Sequence, residues 1–437
     1  MQITSPQIVS PPEVSLNPTV KGLSPSVTLS SNERFARLEQ QGCKIYQLGF
    51  GQSPFPVPES VVEELRTNAF QKTYLAVKGL AELREAVAQF HRRVNHIDAA
   101  GENVLIGPGT KELMFLLQLT YFGDLVLPAP SWVSYAPQAG ILGRKVSWIQ
   151  TRKENGWRLT PEELDNLCSK DPSRPRLLIL NYPSNPTGLT LSAAELEGLA
   201  SVAQKYRVLV LSDEIYGELN HSGNHVSIAN YYPEGTIVSS GLSKWCGAGG
   251  WRLGTFVFPS SLRWLLDAMS TVISETYSAV SSPIQYAAIR AFNGGADIEQ
   301  YVMQSRRILR SLGQSVEKRL HAQGVDVHPS EGGFYLFPDF SGFAGKLRPR
   351  HITTSAEFCE RLLSETGVIL LPGSDFGRPP TELTCRLAYV NFNGAECLTA
   401  AEEVPDDQEL GEDFTRTHCA DTLEAIDLIG KWLRWPS

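Results

Sequence analysis

In the stretch "SGLSKWCGAGGWRLG", residues 240–254, one lysine, Lys244, stands among glycines, and one arginine, Arg252, follows eight positions later. Glycines let another molecule approach the backbone, an amine can attack a carbonyl, and a guanidinium can hold an anion. The flanking runs "TIVSSGLS" and "LGTFVFP" read as buried strands, so Lys244 lies between two core elements. The plainer use of such a loop is a turn with a solvated lysine, and that address does not suit it.

Other β-like runs are followed by residues of equally definite chemistry. After "VLIG" comes "GPGTKEL", a glycine turn entering a helix at Thr110 and Lys111, whose free amides and dipole suit a phosphate. Trp132 follows "LVLPAP", Asn185 follows "LLILNYP", and Asp213, Glu214 and Tyr216 follow "VLVLS". In open α/β sheets ligands sit beyond the carboxyl ends of strands. A phosphate cradle, a flat aromatic, an amide, a carboxylate with a phenol, and an amine together describe a site for a phosphorylated aromatic aldehyde.

The elements that must position these residues alternate. The runs "NVLIG", "DLVLPAP", "KVSWIQ", "RLLILNYP", "RVLVLSD", "TIVSS" and "GTFVFP" are separated by helical stretches such as "KELMFLLQLTYF" and "SAAELEGLASVAQKY". Continuous Val, Ile and Leu strands between helices predict an α/β fold with a mostly parallel seven-stranded sheet covered on both faces. The pattern changes near residue 300 to a long helix, "IEQYVMQSRRILRSLGQSVEKRLHAQG", then short strands and a last helix, "DTLEAIDLIGKWLRW", which predicts a second, smaller α/β domain. The expected organisation is a flexible arm over 1–24, a small domain from 25–60 and 305–437, and a large domain over 61–304. Within the arm's end and the small domain, "SSNERFARLEQQG" reads as a capped helix. The acidic stretch "ECLTAAEEVPDDQELGEDFTRTHCAD", about 396–420, is poor in apolar residues and is expected to be an exposed insertion.

The 437 residues, 42% hydrophobic, can bury a large core. A net charge of −8 and a pI near 5.6, with no Lys/Arg block, argue against a nucleic-acid partner. Seven cysteines without a CxxC pair suit a reducing compartment, and neither a disulfide framework nor a metal site is expected. His221 and His225 in "HSGNH" have metal-like spacing but no third ligand, so they are read as a solvated loop. No secretory signal and no transmembrane run is seen, so the cytoplasm is expected, with no membrane partner.

In "NPTG", "SDEIY", "SKWCGAGGWRLG", "LPGSDFG" and "CRLAY" the chain resembles the class I aminotransferases, pyridoxal 5'-phosphate (PLP) enzymes of fold type I. The likeness runs from about residue 25 to 393, plus the last helix. It implies that Lys244 carries the cofactor as a Schiff base and that Arg252 pairs with its phosphate, with the Thr110 and Lys111 amides. Trp132 would stack on the pyridine ring, Asp213 would pair with its nitrogen, and Asn185 and Tyr216 would donate to its phenolate oxygen, favouring the deprotonated form. Tyr74 would reach the phosphate of a partner subunit, which implies a homodimer. Arg386 of "CRLAYVNF" would take the substrate α-carboxylate as a fork, beside the backbone of Gly51.

The implied reaction moves an amino group from an amino acid to a 2-oxo acid, with Lys244, Asp213 and Tyr216 as the catalytic set. Another fold type I activity, a carbon–sulfur lyase or ring-forming synthase, shares the same grip. A non-catalytic PLP-sensing protein is the alternative of a different class. One branch of the family, bacterial aspartate aminotransferases, has a lysine at the place of Lys111 that reaches a distal carboxylate. Aspartate or glutamate is therefore the expected donor, although Lys111 can equally be a helix-start residue with a solvated ammonium. The chain departs from the family at Gly241, where a phosphate-holding serine is usual; Ser239, Ser240 and Ser243 are the substitutes in reach.

Overall fold

Seven strands rich in Val, Ile and Leu pair into one sheet: β1 (Val104–Gly107), β2 (Asp124–Ala129), β3 (Val146–Gln150), β4 (Arg176–Asn181), β5 (Leu209–Asp213), β6 (Thr236–Gly241) and β7 (Gly254–Val257). Their order is β1-β7-β6-β5-β4-β2-β3, parallel throughout except β7, which runs antiparallel to both neighbours. The computed structural model describes residues 15–23, 42 and 44–435. The helix expected at 30–42 and most of the N-terminal arm lie outside them.

Both faces of the sheet are apolar and covered, which is why the strands read as unbroken hydrophobic runs rather than alternating ones. Leu105, Leu127, Ile179, Leu211, Ile237 and Phe256 pack on one side against Leu113 and Leu117 of helix α1 (Thr110–Thr120). Val126, Leu178, Leu180 and Val210 face the other side, against Leu196 and Leu199 of α2 (Ala193–Lys205). Helix α2 starts at a reciprocal capping box, Ser192 with Glu195, which satisfies backbone donors that a helix start leaves free.

The register aligns the chemistry. Asn181 is opposite Asp213, and Asp213 is opposite Ser239, so three adjacent strands end on one line. Gly107, Gly254 and Gly241 form a second row across β1, β7 and β6. A Cβ on Gly254 would lie 2.3 Å from the Thr110 amide nitrogen, so the bare row lets the start of α1 rest on the sheet edge.

Beyond the long helix α3 (Ala296–Ala322) lies a three-stranded antiparallel sheet of β8 (Tyr335–Leu336), β9 (Leu371–Pro372) and β10 (Cys385–Ala388), with β10 in the middle. Tyr46–Gln47 pairs in parallel with Val368–Ile369. The acidic stretch is mostly exposed and has a defined fold. It folds as α4 (Gly394–Glu402) and α5 (Glu412–His418), lies against α3, and leads into the last helix α6 (Ala420–Leu433). Arg307 of α3 donates to the carbonyl oxygens of Val404 (3.3 Å), Pro405 (2.8 Å) and Gln408 (2.7 Å), and Ser311 Oγ to that of Leu410 (2.5 Å). Such donors satisfy a turn backbone that would otherwise need water. Leu410 and Thr415 are buried, while the acids between them face outward.

Candidate active site

The carboxyl ends of β2, β4, β5 and β6 meet the starts of α1 and the loop 243–252 around a pocket of about 590 Å³. Of the residues to which the resemblance gives a role in the site, all but Tyr74 line it: Gly51, Thr110, Lys111, Trp132, Asn185, Asp213, Tyr216, Lys244, Arg252 and Arg386. Tyr74 is 91% exposed on the outer surface of the chain.

Lys244 sits on the pocket floor, three residues past β6. Its Nζ donates to the Gly51 carbonyl at 2.7 Å and lies 5.6 Å from the Tyr216 ring centre. Burial, and then the charge of Arg386, lower its ammonium to about 8. A lysine so placed carries a neutral, nucleophilic fraction near neutral pH.

Asp213 ends β5 with its side chain turned to the pocket. Tyr135 Oη donates to Asp213 Oδ2 at 2.5 Å, and Ser239 Oγ lies 3.5 Å from Oδ1. Burial raises the carboxyl to about 6 against the pull of those bonds. Trp132 meets Tyr135 edge-on at 5.1 Å, and Lys111 Nζ lies 5.2 Å over the Trp132 ring.

The anion end is built from backbone that only certain residues adopt. Gly109 has φ 93°, and a Cβ there would come within 2.1 Å of Arg252 Nη2. Arg252 itself has φ 56° and is held by the carbonyls of Gly249 (2.9 Å) and Pro108 (3.3 Å). The departure at Gly241 has a steric reason: a Cβ would lie 2.7 Å from the Leu253 carbonyl oxygen, so a serine does not fit without movement. Of the three serines nearby, Ser243 lines the pocket, while Ser239 is turned to Asp213.

Arg386, on β10, is 1% exposed. Its Nη1 donates to Asn185 Oδ1 at 3.1 Å and its Nη2 to the Gly49 carbonyl at 2.5 Å, while Nε has no partner. Among the described residues Arg386 has no acid partner, and a buried guanidinium of that kind is a site for an anion.

Sequence reasoning missed Tyr135 and Tyr335, both buried and both lining the pocket. Tyr135 is the first residue of the helix Tyr135–Ile141, three residues after Trp132, and nothing local separates it from a core aromatic. Tyr335 Oη bonds Tyr216 Oη at 2.8 Å and is reached by Asn185 Nδ2 at 3.4 Å. The reading of His221 and His225 as a solvated loop is corrected. His225 Nε2 bonds Glu214 Oε2 at 2.9 Å, both side chains being buried, and His221 is held between the carbonyls of Ser330 (3.2 Å) and Gly333 (3.0 Å). The 331–333 segment covers this turn, which no local pattern reveals.

The donor set fits a flat, phosphorylated pyridine aldehyde. Asp213 is a desolvated carboxylate with no ion pair among the described residues, Lys244 an amine with lowered proton affinity, and the α1 start with Arg252 an anion cradle. Trp132 offers a ring face between them.

The model of the family described as aminotransferase class I and II matches residues 44–404. An aspartate aminotransferase of a Bacillus species is 32% identical over 380 residues, covering 85% of this chain and 93% of that relative. An asparagine–oxo-acid transaminase of Streptococcus mutans is 31% identical over 385 residues, covering 86% and 94%. The solved structure of Thermus thermophilus aspartate aminotransferase with maleate is similar with a TM-score of 0.79 at 29% identity, covering 90% of this chain and 98% of that one.

Proposed function

We propose that this chain, which belongs to the class I and II aminotransferase family and depends on PLP as its members do, transfers the amino group of aspartate or glutamate to a 2-oxo acid. The observation that carries the reading is the convergence in one pocket of Lys244, Asp213 and Arg386, which the sheet register and β10 bring together from distant parts of the chain.

Bound there, the cofactor supplies a carbonyl for amines and an electron sink for the substrate α-carbon. Thr110, Lys111, Ser243 and Arg252 would hold its phosphate, and Trp132 would cover the ring. Asp213 would keep a proton on the pyridine nitrogen, and Asn185 and Tyr216 would donate to the ring oxygen. Arg386 and the Gly51 backbone would hold the substrate carboxylate on the side of the pocket where Lys244 Nζ bonds the Gly51 carbonyl. Lys244 Nζ would be the base that takes the substrate α-proton, a role its lowered proton affinity suits. The desolvated walls keep each of these charges effective.

The dicarboxylate reading rests on Lys111, which lines the pocket and makes no ion pair among the described residues. The relatives named for aspartate and asparagine, and the neighbour solved with maleate, support a four-carbon acidic or amide substrate. Tyr74 at 91% exposure, with Phe70 at 74%, supports a homodimer in which Tyr74 completes the neighbouring phosphate site. The six described cysteines are free thiols, which supports a reducing compartment, the cytoplasm. The division into an arm over 1–24, a small domain from 25–60 and 305–437 and a large domain over 61–304 belongs to the same reading. No described helix is long and apolar enough to cross a membrane.

The test is product analysis: purified protein is given aspartate with 2-oxoglutarate, and glutamate is measured. A panel of other amino acids and oxo acids ranks the donors. Turnover of an amino acid with no oxo acid present would point to elimination chemistry and overturn the proposal.

A further inference from the structure

We propose that Tyr335 is a positioning residue that aims the Tyr216 hydroxyl into the pocket and strengthens it as a donor to the cofactor ring oxygen. The inference rests on the reading of Tyr216 as such a donor. What needs explaining is the hydroxyl. Packing alone would be served by phenylalanine, and a buried hydroxyl is costly unless it is bonded.

The bonds have a direction. A guanidinium has only donors, so the Arg386 contact at 3.1 Å fixes the oxygen of the Asn185 amide toward Arg386. The amide nitrogen therefore faces Tyr335, to whose oxygen it donates at 3.4 Å. With its oxygen engaged from that side, Tyr335 gives its own hydrogen to Tyr216 Oη at 2.8 Å. Tyr216 then accepts there, and its own O–H is left for an acceptor in the pocket. Hydrogen bonds in such a chain polarise one another, so a tyrosine that accepts one becomes a better donor of the next.

Three contacts keep Tyr335 in this place. Its ring meets Tyr216 edge-on at 5.5 Å, and the Arg386 guanidinium lies 4.9 Å over its face. Its hydroxyl occupies the space where Gly51 would carry a side chain: a Cβ there would come within 1.9 Å of Tyr335 Oη. Gly51 thus has a reason to be glycine beyond the close approach of a substrate. Its carbonyl holds Lys244, its bare Cα admits the Tyr335 hydroxyl, and the phenol and amine are set against the same residue.

The experiment titrates the visible absorption of the cofactor-loaded protein against pH. Donors to the ring oxygen favour the deprotonated chromophore, so losing one raises the midpoint. Tyr335→Phe keeps the ring and removes the hydroxyl. Its midpoint is expected to rise by about half to one pH unit, the worth of one hydrogen bond. Tyr216→Phe is expected to raise it at least as much, and Tyr335→Phe added to Tyr216→Phe to change it no further, because the first acts through the second. Full additivity of the two shifts, or an unchanged midpoint in Tyr335→Phe beside a shifted Tyr216→Phe, would overturn the inference alone. No shift in Tyr216→Phe would instead overturn the reading of Tyr216 on which it rests. If Tyr335→Phe does not fold, Gly51→Ala displaces the same hydroxyl and must raise the midpoint likewise; an unmoved midpoint there counts against the proposal.

Discussion

Tyr135 Oη and Asp213 Oδ2 are 2.5 Å apart, both side chains buried, and this bond orients a carboxylate that makes no ion pair among the described residues. Burial still raises Asp213 to about 6 from its ordinary 3.8. Between those values the native cofactor-free protein binds more protons than the unfolded chain, so its stability falls as pH rises from about 4 to 6. Two pH units correspond to about 3 kcal/mol. Asp213→Asn removes the charge. The cofactor-free variant is therefore expected to be more stable than wild type at pH 7, by about 1 to 3 kcal/mol, and equal to it at pH 4, while turnover falls by about a hundredfold or more. Thermal unfolding at the two pH values checks the first half and steady-state rates the second. A variant less stable than wild type at both pH values would show that the carboxylate serves structure.

Lys244 supplies a second pH dependence of opposite sense. Its ammonium is lowered to about 8, and only the neutral amine attacks a carbonyl. Uptake of PLP by the stripped protein is expected to accelerate about tenfold per pH unit below 8 and to level off above it, followed by absorbance in stopped flow. Lys244→Ala should retain PLP through its phosphate and ring contacts, give no borohydride-stable adduct and lose turnover. Substantial transamination by that variant would end the assignment of Lys244.

Arg386→Lys keeps the charge and loses the fork. The arginine spans Asn185 and the Gly49 carbonyl with its two terminal nitrogens, a reach one ammonium cannot copy. Since every amino acid carries an α-carboxylate, KM is expected to rise together for all donors, by about ten- to a hundredfold. A rise confined to one donor class would mean that Arg386 reads the side chain instead.

The strands were legible because a sheet covered on both faces demands unbroken apolar runs, and Thr110, Trp132, Asn185, Asp213, Tyr216 and Lys244 were legible because they stand at or just beyond the ends of those runs. Arg252 was legible from its glycine-rich loop, and Gly51 and Arg386 only through the family motifs. Tyr135 and Tyr335 were not, since an aromatic in a helix or strand has the same local signature whether it fills a core or bonds a catalytic group. His221 and His225 misled for a related reason: "HSGNH" is polar and its middle is exposed, but the Ser330 and Gly333 carbonyls enclose His221 and the buried Glu214 holds His225, partners that lie outside the stretch. How the acidic stretch folds was not legible in its composition. Its carbonyls find Arg307 and Ser311 a hundred residues away, a partnership that no window of sequence contains.

On the proposed function, Lys111 is the residue expected to set the substrate class. Its amide belongs to the start of α1, while its ammonium lies over the Trp132 ring and lines the pocket. Burial, and then Arg252, lower its proton affinity, the state of a cation that has lost water and found no acid. A distal carboxylate would supply that acid. Such a desolvated pair favours acidic donors by about 1 to 3 kcal/mol, or roughly ten- to a hundredfold in kcat/KM. Lys111→Ala is therefore expected to lower kcat/KM for aspartate and glutamate by that factor and to leave aliphatic and aromatic donors within about twofold, since the variant keeps the backbone amide that serves the phosphate. Comparing kcat/KM across a donor panel for wild type and variant makes the distinction. Equal losses for acidic and neutral donors would assign the lysine to the cofactor alone, and the dicarboxylate reading would fall with it.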